Sequence, residues 1–185
     1  MPGLITVGHG KLDRGRLADL LTGAGVQELV DVRRFPASRN NPDVSRDVMS
    51  AWLRAAGIGY RWEEALGGRR RLSVGQRPAD TWWRVPAFRA YAAHTRSPEF
   101  ITALQQVLAA VPELTVALMC SESVWWRCHR RLIADVAEVA HQTPVHHLMP
   151  SGLLTEHPPA QGARIRRDGL LVWDRSTENA GTAAD

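Results

Sequence analysis

Four short apolar runs, residues 4–7, 28–32, 114–119 and 145–149, alternate with stretches whose apolar residues recur at helical spacing, and this alternation most constrains what the chain can become. Parallel strands need long connections, usually a helix, so strands that alternate with helices pack as a mainly parallel sheet. The opening segment is the clearest case. Leu4 to Val7 stops at Gly8-His9-Gly10, Leu17, Leu20, Leu21 and Ala24 then share one helical face, and Gly23 and Gly25 close that helix before a second strand over 28–32. This predicts a βαβ unit with a parallel pair and a right-handed crossover.

The rest of the chain repeats the pattern with different punctuation. Val48, Met49, Trp52 and Leu53 predict a helix beginning near Ser45 and ending at Gly57, followed by a short strand over 58–62. Residues 63–85 form the longest irregular stretch, with Gly67-Gly68, Arg69 to Arg71 and Trp82-Trp83; loops of that length tend to carry function or to move. A short helix is expected over 88–94. Ser97-Pro98-Glu99 signals the start of another, with Ser97 as N-cap and Pro98 in the first turn. Residues 114–119 read as a buried strand running into Cys120, residues 130–140 as a helix, and residues 145–149 as the last core strand.

The expectation is therefore one α/β domain, a Rossmann-like three-layer fold with a mainly parallel sheet and helices on both faces. Residues 1–150 form its core, residues 151–175 an extension packed on that core with an edge strand over 169–173, and residues 176–185 a disordered tail. A chain of 185 residues is long enough to bury such a core. No stretch approaches the roughly 20 apolar residues of a membrane span, and the first residues lack the basic flank and long apolar run of a signal peptide. A soluble, cytoplasmic protein with no membrane partner is expected. In that compartment Cys120 and Cys128 are expected as thiols rather than as a staple. Lys11 is the only lysine, so the basic side is almost wholly arginine, which suits phosphate and carboxylate recognition and equally follows from base composition. A net charge of +4 is modest for a nucleic-acid binder.

In open parallel sheets ligands bind beyond the carboxyl ends of the strands. Three polar clusters fall there: Gly8-His9; Asp31 to Arg34 with Ser38-Arg39; and Cys120-Ser121-Glu122 leading to Arg127-Cys128-His129-Arg130. With these residues the chain resembles the bacterial domain-of-unknown-function family numbered 488. The matching segments are Thr6 to His9, Leu29 to Arg33 with Pro36, Ser38 and Arg39, Leu66-Gly67-Gly68, and Ala117 to Glu122 with Cys128-His129-Arg130. The resemblance implies the α/β fold and assigns no activity. Where family members tend to have serine after the first histidine, this chain has Gly10, and Trp125-Trp126 make its loop bulkier than usual.

A thiol at a strand end that leads into a helix amino terminus, with arginine nearby, has its thiolate stabilised, so Cys120 is expected to be the reactive group. The strand Leu-Val-Asp-Val-Arg and the spacing from Cys120 to Arg127 look like rhodaneses and cysteine-dependent phosphatases, whose loops wrap an anion in backbone N–H groups; here the loop is a residue longer than the phosphatase pattern and almost free of glycine. The alternative for Cys120 is a buried, inert thiol. Asp31 is either a general base or orienting partner for His9, or an acid that holds a neighbouring arginine. His9 and Glu122 are the remaining proton-handling or orienting groups. Arg33, Ser38, Arg39, Arg127, His129 and Arg130, with Gly67 and Gly68, are the expected substrate contacts.

Cys120, Cys128 and His129, with His9 or His147, form a second possibility as metal ligands, but C-x7-C-H is not a familiar zinc spacing, and neither a metal nor another cofactor is expected. Trp52 reads as core, as does His147, and His157 lies in a proline-rich loop with no evident role. Trp82-Trp83 and Trp125-Trp126 either stack on bases or cover the core edge, and Arg69 to Arg71 either hold phosphate or form a solvated turn. The preferred reading is an enzyme-like pocket for a phosphorylated small molecule or nucleic acid. A non-catalytic nucleic-acid-binding module and a metal-stabilised structural or partner-binding protein are the alternatives.

Overall fold

The chain alternates β1 (Gly3–Gly8), α1 (Arg14–Gly23), β2 (Glu28–Asp31), α2 (Arg46–Ala55) and β3 (Gly59–Trp62), then α3 (Pro86–His94), α4 (Pro98–Ala110), β4 (Thr115–Cys120), α5 (Arg130–Asp135) and β5 (Val145–Leu148). This is a computed structural model, and it describes residues 3–37 and 41–174. Ser38 and Arg39, expected at the site, and the tail 176–185 lie outside the described residues. Three short strands complete the chain: β6 (Leu154–Glu156), β7 (Ala163–Ile165) and β8 (Leu171–Trp173).

Local chemistry explains most boundaries. Asp13 caps α1 by accepting from Arg16 N at 2.9 Å, and Ser97 caps α4 by accepting from Phe100 N. Ser45 flanks α2 as expected, but its hydroxyl donates to the Pro42 carbonyl at 2.6 Å instead of capping the helix. The 130–140 helix is α-helical only to Asp135 and continues as a π-helical turn, Val136–Ala140.

The six-stranded sheet runs β3-β2-β4-β1-β5-β6, parallel except for β6, which pairs antiparallel with β5. Both β1 and β2 are parallel as expected, yet they are not neighbours, because β4 inserts between them and pairs with each. The order also departs from the 3-2-1-4-5-6 of a dinucleotide-binding Rossmann fold. Leu17, Leu21, Met49, Trp52 and Leu53 of α1 and α2 pack on one face of the sheet against Ile5, Leu29 and Ala117. Tyr91, Phe100, Leu104, Val107, Leu132 and Ile133 of α3, α4 and α5 pack on the other face against Leu4, Val30 and Leu118.

Residues 169–173 do not join the edge of this sheet. There β8 pairs with β7 as a separate two-stranded ribbon, and Trp173 is fully buried with its Nε1 donating to Asp135 at 2.7 Å. Among the described residues no helix is long and apolar enough to cross a membrane.

Candidate functional site

Register brings the polar strand ends together. Gly8 of β1 lies opposite Cys120 of β4, and Asp31 of β2 lies opposite Met119 of β4 and Trp62 of β3. From β2 the chain departs toward β3 by way of α2, whereas from β4 it departs the other way, across β1 to β5, by way of α5 on the opposite face. Neighbouring strands whose connections diverge leave a crevice between their carboxyl ends. A cavity of about 390 Å³ lies there, and Arg33, His9, Cys120, Cys128, His129 and Arg127 are among its lining residues.

Arg33 lines this cavity and is held from behind by the buried Asp31. The Arg33 Nε and Nη2 donate to the two oxygens of the fully buried Asp31 at 2.8 and 2.6 Å, and the Arg33 amide adds a third bond at 3.1 Å. Tyr60 donates a fourth at 2.9 Å. With that many donors Asp31 holds an arginine, and it contacts His9 only through Arg33. The remaining Nη1 of Arg33 faces His9 Nε2 at 3.4 Å. His9 Nδ1 faces the Gly10 carbonyl at 3.0 Å, so the proton sits on Nδ1 and Nε2 accepts. Burial, then the Arg33 charge, lowers the His9 pKa to about 4 and keeps the ring neutral. Gly10 itself has φ +52°, a conformation that residues with a side chain rarely adopt, and a Cβ there would require the Ser123 hydroxyl to turn away.

Opposite this pair lie the two thiols and an imidazole. His129 Nε2 faces the Val32 carbonyl at 3.1 Å, which can only accept, so the Nε2 proton is fixed and the Nδ1 lone pair is left toward sulfur. Cys128 Sγ is 3.6 Å and Cys120 Sγ 3.9 Å from that Nδ1. The Tyr91 ring packs against the imidazole with centroids 4.9 Å apart. Gly68 closes the other side, where a Cβ would lie 2.8 Å from His129 Nδ1, and a Cβ on Gly67 would lie 3.0 Å from the Arg34 backbone. Both glycines thus serve close packing of the loop.

The two thiols are shifted in opposite directions. Pairing with the neighbouring Cys128 thiol, then burial, holds the Cys120 pKa well above that of an ordinary thiol. Burial alone would raise Cys128 too, but the neighbouring Cys120 thiol and the charge and N–H of Arg130 outweigh it and lower its pKa. The 120–130 loop also differs from an anion-wrapping cradle, since Arg127 N and Cys128 N donate within the loop to Val124 and Trp125 carbonyls at 3.2 and 3.1 Å.

Arg130, expected as an anion holder, is 1% exposed and turned inward. Its Nε donates to Cys128 Sγ at 3.4 Å, its Nη1 to Thr6 Oγ1 at 3.2 Å and its Nη2 to the Glu122 carbonyl. Thr6 in turn bonds His147 Nδ1 at 2.6 Å, His147 Nε2 bonds His157 Nδ1 at 2.9 Å, and His157 Nε2 donates to Asp135 at 2.8 Å. A chain of buried bonds therefore runs from the guanidinium, which only donates, to a carboxylate, which only accepts. His147 is core as expected, while His157 has a defined partner that its loop sequence did not reveal.

Glu122 and Arg127 are exposed on the cavity rim. Trp83 is buried in the core, Trp82 packs beside it, and Trp125 stacks on His147 at 4.1 Å, so these three are covering residues; Trp126 is the exposed member of its pair. The aromatic that sequence reasoning missed is Phe35, 62% exposed on the cavity lining, with the Arg34 and Arg69 guanidinium groups 5.8 and 5.9 Å from its ring. The signal was present in Arg33-Arg34-Phe35-Pro36, an aromatic following two arginines just past a strand end.

The sequence model of one family, described as domain of unknown function DUF488, matches residues 13–137. No curated protein and no solved structure matches the chain.

Proposed function

The chain belongs to the DUF488 family, which carries no assigned activity, and from its cavity we propose an enzyme-like site for a phosphate-bearing ligand, a nucleotide or a single-stranded nucleic-acid segment. The observation that carries this is Phe35, an exposed ring flanked by Arg34 and Arg69 on a cavity also lined by Arg33 and Arg127. A flat ring offers a base a stacking surface, and guanidinium groups around it offer phosphate oxygens bidentate partners. Cys128 is the reactive thiol at the inner end, and Cys120 and His129 orient it. The fold is Rossmann-like in this functional sense, with the ligand at a strand-end switch point rather than in the dinucleotide-binding strand order.

Binding of a fluorescent single-stranded oligonucleotide, read by anisotropy across a salt series, tests the proposal. Log affinity should fall against log salt by about 0.7 per neutralised phosphate, and Arg34→Ala and Arg127→Ala should each flatten the slope by about that amount. Phe35→Ala should weaken binding by about 1–3 kcal/mol while leaving the slope intact, because stacking releases no counterions. Arg54→Ala, in the last turn of α2 at the far end of the sheet, should change neither. Equal losses from Arg54 and Arg127 would mean diffuse surface charge, and no binding of oligonucleotide or nucleoside monophosphate at low salt would remove the proposed ligand class.

A further inference from the structure

We propose that Cys120, Cys128 and His129 form a three-ligand site for a borderline-soft divalent ion of the zinc class, with its fourth position open to the cavity. Their donor atoms all lie within 4.8 Å of one another. A tetrahedral zinc with Zn–S of about 2.3 Å and Zn–N of about 2.1 Å sets neighbouring sulfur and nitrogen donors about 3.6 Å apart. The two Sγ to Nδ1 distances are 3.6 and 3.9 Å, close to that edge with no rearrangement of the backbone.

The surroundings match what such a site requires. His129 Nε2 bonds the Val32 carbonyl, the outer contact that fixes a ligating imidazole and leaves Nδ1 free to bind. The Arg130 Nε bonds Cys128 Sγ, as an N–H donor does beside a metal-bound thiolate. Two sulfurs and one imidazole suit zinc better than magnesium or calcium, which take oxygen ligands. Three protein ligands facing a cavity are the arrangement of a catalytic rather than a structural zinc, because the open position is left for water or substrate. The linear spacing C-x7-C-H is not a familiar zinc spacing because the first cysteine ends a strand and the other two residues precede a helix across a loop.

The inference shares the cavity with the proposed function but not its ligand, so the two are tested apart. Reduced full-length protein is titrated with Co(II) and followed by absorption. One equivalent should bind, with a thiolate-to-cobalt charge-transfer band and the intense visible bands of a tetrahedral centre, and Zn(II) should displace it one for one. Cys120→Ser and Cys128→Ser should each lose charge-transfer intensity, and His129→Gln should lose the tetrahedral bands. In case a serine variant misfolds, iodoacetamide labelling of the unaltered chain gives the same answer: one equivalent of Zn(II) should protect both cysteines. Absence of the charge-transfer band, labelling unaffected by Zn(II), or a band that survives both serine substitutions would overturn the site. Oligonucleotide binding measured on the same samples shows whether the phosphate reading stands or falls separately.

Discussion

Arg33 reaches back two residues to clasp Asp31 through both carboxylate oxygens, at 2.8 and 2.6 Å, with both side chains buried. The clasp decides what each residue is for. Removing one partner of a buried pair leaves the other charge unpaired, which costs about 3–5 kcal/mol. Asp31→Asn should therefore lower the stability measured by urea unfolding by about that amount, with Tyr60 and the Arg33 amide losing a charged acceptor as well. A general base with no structural role would show the opposite result, lost activity with stability changed by less than about 0.5 kcal/mol.

Gly68 should tolerate no side chain. Its added Cβ, 2.8 Å from His129 Nδ1, meets a ring fixed by Tyr91 and by the Val32 carbonyl, so the imidazole cannot yield freely. Gly68→Ala should cost about 1–3 kcal/mol, as overpacking of a tight site does, and should shift the His129 ring resonances in NMR spectra. Gly23→Ala is the control, since its Cβ meets nothing within 4 Å at the end of α1. That replacement should be neutral or stabilising by up to about 1 kcal/mol. Equal destabilisation by both would show that the contact with His129 does not matter.

Cys128 should react with iodoacetamide before Cys120 in reduced, metal-free protein at neutral pH. Arg130 Nε donates to Cys128 Sγ and lowers its pKa, while pairing with Cys128 and burial raise that of Cys120. Mass spectrometry of a labelling time course gives the order directly. Faster labelling of Cys120 would return the reactive role to the strand-end thiol.

The main strands and helices were legible because they rest on local signals, apolar runs for β1, β2, β4 and β5 and Ser97-Pro98 for the start of α4, whereas β6 and β7, past Pro150, were not expected. The insertion of β4 between β1 and β2 was not legible, since it depends on pairing between segments about a hundred residues apart. At the site, the strand-end rule located His9, Arg33, Cys120, Arg127, Cys128 and His129 on one cavity. Direction was what the sequence could not supply. Arg130 carries the same chemistry as Arg127 but is aimed inward, so its guanidinium sits against Cys128 and Thr6. Trp83 lies in a loop as expected, but its burial was not legible, because the ribbon that covers it, ending at Trp173, lies about ninety residues further on.

Stability should fall as the pH drops below about 6.5, through two buried histidines. Burial, then the Arg33 charge, lowers His9 to about 4; burial, then His157, lowers His147 to about 3. A histidine with a lowered folded pKa binds fewer protons folded than unfolded between those values, so stability rises with pH across that window and is lost as the pH falls through it. Each group contributes a slope of at most about 1.4 kcal/mol per pH unit. Urea unfolding between pH 4.5 and about 6 should show that decline in the unaltered chain. His147→Gln offers the Thr6 hydroxyl an amide acceptor in place of Nδ1 and cannot titrate, so the slope should shrink by about one proton even though overall stability is lower. A slope unchanged in that variant would mean that the acid sensitivity originates in groups other than His147.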